Sequence, residues 1–224
     1  MARLARVVVP GLPHLVTQRG NRGEPIFLED GDQKLYLRLL AERARLARVE
    51  VWAYCLMPNH VHLIVVPRTA DGVRAAIGEA HRRYTRFVNQ RAGLTGHLFQ
   101  SRFASVVMDE EHLLMAARYI ALNPVRARLV RRARDWPWSS ARAHLAGRDD
   151  ALVTVQPLLD RIPRFAELLE TPADDPDFDA LRKAEKTGRP LGAPKFIARL
   201  EKRLGRALAP QRRGRKPGGA KAAK

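Results

Sequence analysis

Two apolar runs, "EVWAYCLM" (50–57) and "HVHLIVV" (60–66), are separated only by Pro58-Asn59. Both are rich in β-branched and aromatic residues, and Pro-Asn is a turn dipeptide, so the stretch reads as two strands broken there rather than as a helix. Any fold for this chain must therefore contain a sheet. Upstream, "HLVTQRGNR" (14–22) reads as a short strand and a turn marked by Gly20, Asn21 and Gly23. Between them, residues 30–49 set Leu35, Leu39, Ala41, Leu46 and Val49 near helical spacing. Residues 69–92 form a second amphipathic pattern, with Val73, Ile77, Tyr84 and Val88 on one side and Arg82, Arg83 and Arg86 on another. "HLFQSRFASVVMD" (97–109) supplies a fourth strand region. The order β-α-β-β-α-β predicts an α+β protein with a ferredoxin-like, RRM-like antiparallel sheet and helices packed over it.

"DEEHLLMAARYIALN" (109–123) reads as a third helix, its acids suiting the N-terminal dipole and Arg118 lying late. Pro124 is expected to interrupt it, with "PVRARLVRRA" adding a turn or two. "DWPWSSARAHLAG" (135–147) predicts a capped helix ending at Gly147. From about residue 150 the character changes. "TPADDPDFDA" (171–180) reads as an acidic linker, "APKFIARLEKRLGRAL" (193–208) as a basic amphipathic helix, and "QRRGRKPGGAKAAK" (211–224) as a low-complexity tail with six basic residues and no acid. Such a tail is expected to be disordered in isolation. The expected division is a domain over 1–150, a helical and acidic linker region over 151–192, and a basic helix with a low-complexity tail over 193–224.

Charge narrows the partners. Lys and Arg number 41 against 23 acids, a formal net charge of +18. That excess points to a polyanion, nucleic acid or an anionic membrane. No apolar run approaches the ~20 residues of a membrane span. The N-terminal "MARLARVVVPGLPH" is basic and then apolar, but its apolar run stops at Pro10. A secretory core needs ~7–15 apolar residues, so the expected location is the cytoplasm, with nucleoid association. The single Cys55 forms no internal disulfide.

Side chains two apart on a strand share a face, so His60 and His62 present two imidazoles side by side. Cys55, of opposite parity, faces away if the strand runs unbroken, which argues against a Cys-His zinc site. The plainer account is two partly buried histidines bonded to backbone. Yet two adjacent imidazoles that must stay neutral are costlier than one, and a metal ion resolves that cost, with a third ligand from another element.

"MPNHVHLIV" resembles the His-hydrophobic-His signature of the HUH single-tyrosine transposases. "GHLFQSRFASV" (96–106), "RYIALNPVRARLV" (118–130) and "DWPWSSARAHL" (135–145) follow in the order of the REP-associated tyrosine transposases, so the resemblance spans residues 14–147. The segment "TGRPLGAPKFIARLEKRLGRAL" resembles the C-terminal extension of many such proteins. The resemblance implies a metal-dependent enzyme that cleaves and rejoins single-stranded, hairpin-forming DNA in transposition or in processing repeated palindromic elements. It implies Tyr119 as nucleophile, forming a 5′-phosphotyrosine. It also implies His60, His62 and Asn123 as ligands of Mg²⁺ or Mn²⁺, with no small-molecule cofactor and either a monomer or a homodimer. From the residues alone, Tyr119 and Asn123 share a helical face at i and i+4, and Asn123-Pro124 equally suits an N-cap.

Arg82, Arg83, Arg86, Arg102, Arg126 and Arg128 lie near these motifs, and Arg212, Arg213, Arg215 and Lys216 in the tail resemble a minor-groove arm. Taken together they are expected to bind DNA phosphates. Trp136, Trp138 and Phe103 are read as core residues first and base-stacking surfaces second. The rival function is a non-catalytic, RRM-like binder of single-stranded nucleic acid, which has no need of His60, His62 and Tyr119 together. A rolling-circle initiator is disfavoured by the "NPVRA" and "WPWSS" blocks.

Overall fold

A computed structural model describes residues 5–209. Four strands, β1 (His14–Arg19), β2 (Val49–Met57), β3 (His60–Pro67) and β4 (Ala104–Val107), form one sheet in the order β2-β3-β1-β4. Every pairing is antiparallel. With α1 (Asp32–Leu46) after β1 and α2 (Glu79–Ala92) after β3, this is the ferredoxin-like arrangement that the sequence predicts. A π-helical turn, Arg74–Gly78, leads into α2.

The two faces of the sheet bury different helices, following the alternation of strand side chains. Val16, Val51, Tyr54, Leu56, Val61, Leu63 and Val65 pack against Tyr36 and Leu40 of α1 and Tyr84 and Val88 of α2. On the other face Leu15, Ala53, Ile64, Val66 and Val106 pack against α3 (Glu110–Arg126) through Leu113, Ala116, Tyr119 and Ile120. The short α4 (Ala141–Leu145), α5 (Gln156–Leu159) and α6 (Phe165–Leu168) follow. The longer α7 (Phe178–Thr187) then returns to the α3 face, burying Phe178, Leu181 and Ala184 there. α8 (Pro194–Leu204) packs Phe196 and Leu200 on Val7, Val9 and Val107.

Four expectations are corrected. First, α3 does not stop at Pro124 but runs through it to Arg126. In the last turn the missing N–H removes one backbone bond, and the ladder resumes at once with Ala127 N–H donating to Asn123 O at 2.9 Å. Asn123 therefore lies inside a helix and is no N-cap. The true cap is Asp109, which accepts from His112 N–H at 3.1 Å. Second, Cys55 does not face away from the histidines. The turn at Pro58-Asn59 resets the parity, and Cys55 stands directly across from His62 on the same face. Its thiol contacts Met57 Sδ at 3.7 Å, and burial pushes the thiol pKa up. Third, only Ala104–Val107 of 97–109 is strand. Fourth, the helix expected over 135–147 is reduced to α4, because Trp138–Ser140 runs along the outer edge of β2. Leu56 N–H donates to Trp138 O at 2.8 Å and Ser140 N–H to Tyr54 O at 3.0 Å.

Trp136 and Trp138 belong to that docking. Trp136 Nε1 donates to Leu56 O at 2.9 Å, and Trp138 packs on the α1/α2 core. Phe103 is buried, with the Arg6 guanidinium 3.7 Å from its ring centre.

Candidate active site

β1 and β3 set the site through their register. Thr17 stands opposite His62, and Arg19 opposite His60, so these four polar side chains share the α3 face. The imidazole centres of His60 and His62 lie 4.8 Å apart, edge to face. α3 crosses above them, its ring of Tyr119 centred 5.1 Å from that of His62. On the far side Tyr119 meets Phe178 of α7 at 5.2 Å, and the Arg126 guanidinium lies 4.5 Å from its ring centre. Tyr119 is only 2% exposed.

The polar atoms are unevenly satisfied. Arg126 Nη2 donates to Asn123 Oδ1 at 2.9 Å. His60 Nδ1 lies 2.6 Å from Asn59 Oδ1. Buried and without a partner are His62 Nε2, Asn123 Nδ2 and Arg126 Nη1. Buried polar atoms are nearly always bonded, so three orphans in one place mark a site built for something else. Burial lowers the His60 pKa to about 3 and that of His62 well below the usual range, helped by Arg19 and Arg126, and for His62 also by His60. Both rings are neutral at physiological pH, the form that ligates metals. Burial raises the pKa of Glu185 on α7, against the pull of Thr17 and three arginines.

A divalent ion fits this donor set. Two neutral imidazoles stand side by side, and His62 Nε2 has no protein partner. Among the described residues no group of three His, Cys, Asp or Glu side chains clusters as ligands, and the side-chain oxygen that α3 brings nearby, Asn123 Oδ1, accepts from Arg126.

Residues 12–123, half of the chain, match the family model described as "Transposase IS200 like". The chain belongs to the IS200-like transposase family. A Haemophilus influenzae protein named "Putative REP-associated tyrosine transposase" is 28% identical over 102 residues, which span 41% of this chain and 58% of that protein. A solved "REP associates tyrosine transposase bound to a REP hairpin" superposes with a TM-score of 0.56 at 21% identity, covering 69% of this chain and 92% of that one. A structure described as a "putative transposase" from Deinococcus radiodurans, at 21% identity and TM-score 0.37, covers 53% of this chain and 95% of its own.

The structure brings together His60, His62, Tyr119, Asn123 and Arg126, and leaves other predicted residues apart. Arg82, Arg83 and Arg86 lie on α2, across the sheet from the histidines. Arg82 pairs with Glu79 at 2.6 Å, Arg83 with Glu79 at 3.3 Å and Glu42 at 3.5 Å, and Arg86 is exposed. Arg128 is exposed just beyond α3. Arg102 lines a cleft of about 510 Å³ with Arg19, Arg182 and Lys186, which reaches Thr17 and Glu185 at the edge of the histidine site. Arg212, Arg213, Arg215 and Lys216 lie outside the described residues. Among the described residues no helix is long and apolar enough to cross a membrane.

Sequence reasoning misses Thr17, Arg19 and Glu185. For the first two, alternation along β1 shows a shared face, but only the register with β3 puts that face beside the histidines. Nothing local distinguishes Glu185 from the other acids of an amphipathic helix.

Proposed function

We propose that this transposase cleaves and rejoins single-stranded DNA through a covalent link to Tyr119, with a divalent ion held by His60, His62 and Asn123. The observation that carries this reading is the packing of Tyr119 against a neutral histidine pair whose buried Nε2 has no protein partner. Asn123 Nδ2 and Arg126 Nη1 beside it are likewise buried and unpartnered.

When bound, Mg²⁺ or Mn²⁺ supplies Lewis-acid stabilisation of the charge that develops on the scissile phosphate. The chain's own groups do the rest. Tyr119 Oη attacks phosphorus in line as its proton leaves. The P–O3′ bond breaks, the 3′ oxygen takes up a proton, and a 5′-phosphotyrosine remains. Because the bond energy is kept in the ester, another 3′-OH reseals the strand by the reverse steps without ATP. Arg126, stacked on the Tyr119 ring and bonded to Asn123, holds both in register and adds positive charge beside the reacting phosphate. Arg19, Arg102, Arg182 and Lys186 line the adjoining cleft and bind flanking phosphates. The hairpin-bound relative suggests a folded single strand as substrate, from a repeated palindromic element.

A binding module without chemistry needs no such histidine–tyrosine contact. The test is incubation with end-labelled single-stranded hairpin DNA and Mn²⁺. A denaturant-stable adduct carrying the 5′ end of the downstream fragment, mapped by mass spectrometry to Tyr119, supports the reading. An adduct on Tyr36, Tyr54 or Tyr84 refutes the assignment of the nucleophile.

A further inference from the structure

Glu185 is an acid from the C-terminal part of the chain, beyond the region that matches the transposase family, yet its side chain is only 12% exposed and lies against the histidine site. Thr17 Oγ1 donates to Glu185 Oε1 at 2.7 Å, and the same threonine oxygen lies 3.0 Å from His62 Nδ1. The direct separation of Glu185 Oε1 and His62 Nδ1 is 3.5 Å, too long for a good hydrogen bond. The threonine therefore bridges them.

The directions along this bridge follow from elementary donor counting. Thr17 Oγ1 is the donor to Glu185 Oε1, so its single hydroxyl proton points to Glu185. The oxygen can then only accept from the imidazole, which places the His62 proton on Nδ1 and leaves a lone pair on Nε2. That Nε2 is the buried atom without a partner. We infer that Thr17 and Glu185 are positioning residues that fix the tautomer and orientation of His62, so that α7 completes the metal site from outside the family core. Glu185 is not itself a ligand: it stands on the Nδ1 side of the ring, and no three-carboxylate-or-histidine cluster forms there among the described residues. Outer partners of this kind orient the ring and raise the basicity of the ligating nitrogen.

The inference rests on the metal-site reading above, and the experiment separates the two. In the metal-free protein with ¹⁵N-labelled histidine, long-range ¹H–¹⁵N spectra report which nitrogen of His62 carries the proton. Wild type should show the Nδ1–H form alone. Thr17→Val, which keeps the shape and removes the hydroxyl, should shift His62 toward a mixture of tautomers. It should also weaken Mn²⁺ binding by ~10–100-fold in calorimetric titration. Thr17→Ser should restore both. Glu185→Gln should weaken binding in the same direction, and adding it to Thr17→Val should cost nothing further, since the two act in one chain. Thermal melts confirm folding, and if Thr17→Val does not fold, the Glu185→Gln and Thr17→Ser proteins carry the same comparison. An unchanged His62 tautomer and Mn²⁺ affinity in Thr17→Val overturns the inference. So does a Glu185→Gln effect that persists undiminished in the Thr17→Val background, which means that Glu185 acts without Thr17. Wild-type protein that binds no Mn²⁺ overturns the metal site itself, and the purpose assigned to the bridge with it.

Discussion

Two buried constellations of histidine and tyrosine sit on opposite faces of one sheet. On the α1/α2 face, Tyr36 Oη meets His81 Nε2 at 2.8 Å and Tyr84 Oη donates to Ile26 O at 2.7 Å. On the α3/α7 face, Tyr119 meets His62, whose Nε2 is unpaired. Burial lowers His81 to a pKa of about 3, as it does His60. A depressed pKa thus fails to tell core from site. What separates the two constellations is the histidine nitrogen at the centre of each: His81 Nε2 meets a tyrosine hydroxyl, while His62 Nε2 has no partner, and an unmatched buried atom costs about 1–3 kcal/mol.

The largest expected contrast is between tyrosines. Tyr119→Phe should bind hairpin DNA and melt near wild type but form no adduct at all. Tyr36→Phe should still cleave and lose about 1–3 kcal/mol of stability by leaving His81 unpaired. Denaturing gels and thermal melts on both variants decide it; cleavage surviving in Tyr119→Phe removes the distinction. Next, His60→Ala with His62→Ala should eliminate Mn²⁺ binding in calorimetry, whereas His81→Ala should destabilise the fold with Mn²⁺ affinity retained.

Acid should probe the α1/α2 core and its neighbour. His14, held between Val9 N–H and Leu12 O, has a pKa lowered by burial to about 4, and His81 one of about 3. Both stay neutral in the fold while the unfolded chain takes up protons below about pH 6.5. Their contribution is therefore whole above that pH and is lost as pH falls toward 4, roughly 3 kcal/mol for each. A melting temperature unchanged from pH 7 to 4.5 contradicts this. Asn123→Ala should be milder: Mn²⁺ affinity falls less than for either histidine, and stability falls by about 1 kcal/mol, because Arg126 Nη2 loses its acceptor. The smallest effect belongs to the tail. Deleting 211–224 should leave cleavage intact and flatten the slope of log affinity against log salt by ~0.7 for each phosphate that the shortened chain no longer neutralises.

The sheet and its flanking helices are legible in the sequence because their periods are local: two β runs around Pro58-Asn59, and apolar stripes in α1 and α2. His60 and His62 share a face for the same reason, and Tyr119 follows from motif order. What local pattern misses depends on distance in the chain. The side of the sheet that Cys55 occupies escapes it because a two-residue turn resets parity. Pro124 reads as a stop because only the end of α3 shows how little its missing N–H costs there. Thr17 and Glu185 are separated by 168 positions and meet only through tertiary packing. The segment around Trp138 reads as part of a helix because its bonds go to β2, which no local pattern reports.

That last segment has a wider consequence. Along the outer margin of β2, Val51 O, Trp52 O, Tyr54 N–H and O, and Leu56 N–H and O all have partners, drawn from Trp136–Ser140, His144 and Thr154. At the opposite margin Leu191 closes one end of β4, taking Val107 O and accepting from Asp109 N–H. A foreign strand therefore finds no row of open amides on β2 to join. A second copy of this chain that approaches β2 meets side chains and loops rather than a free strand margin.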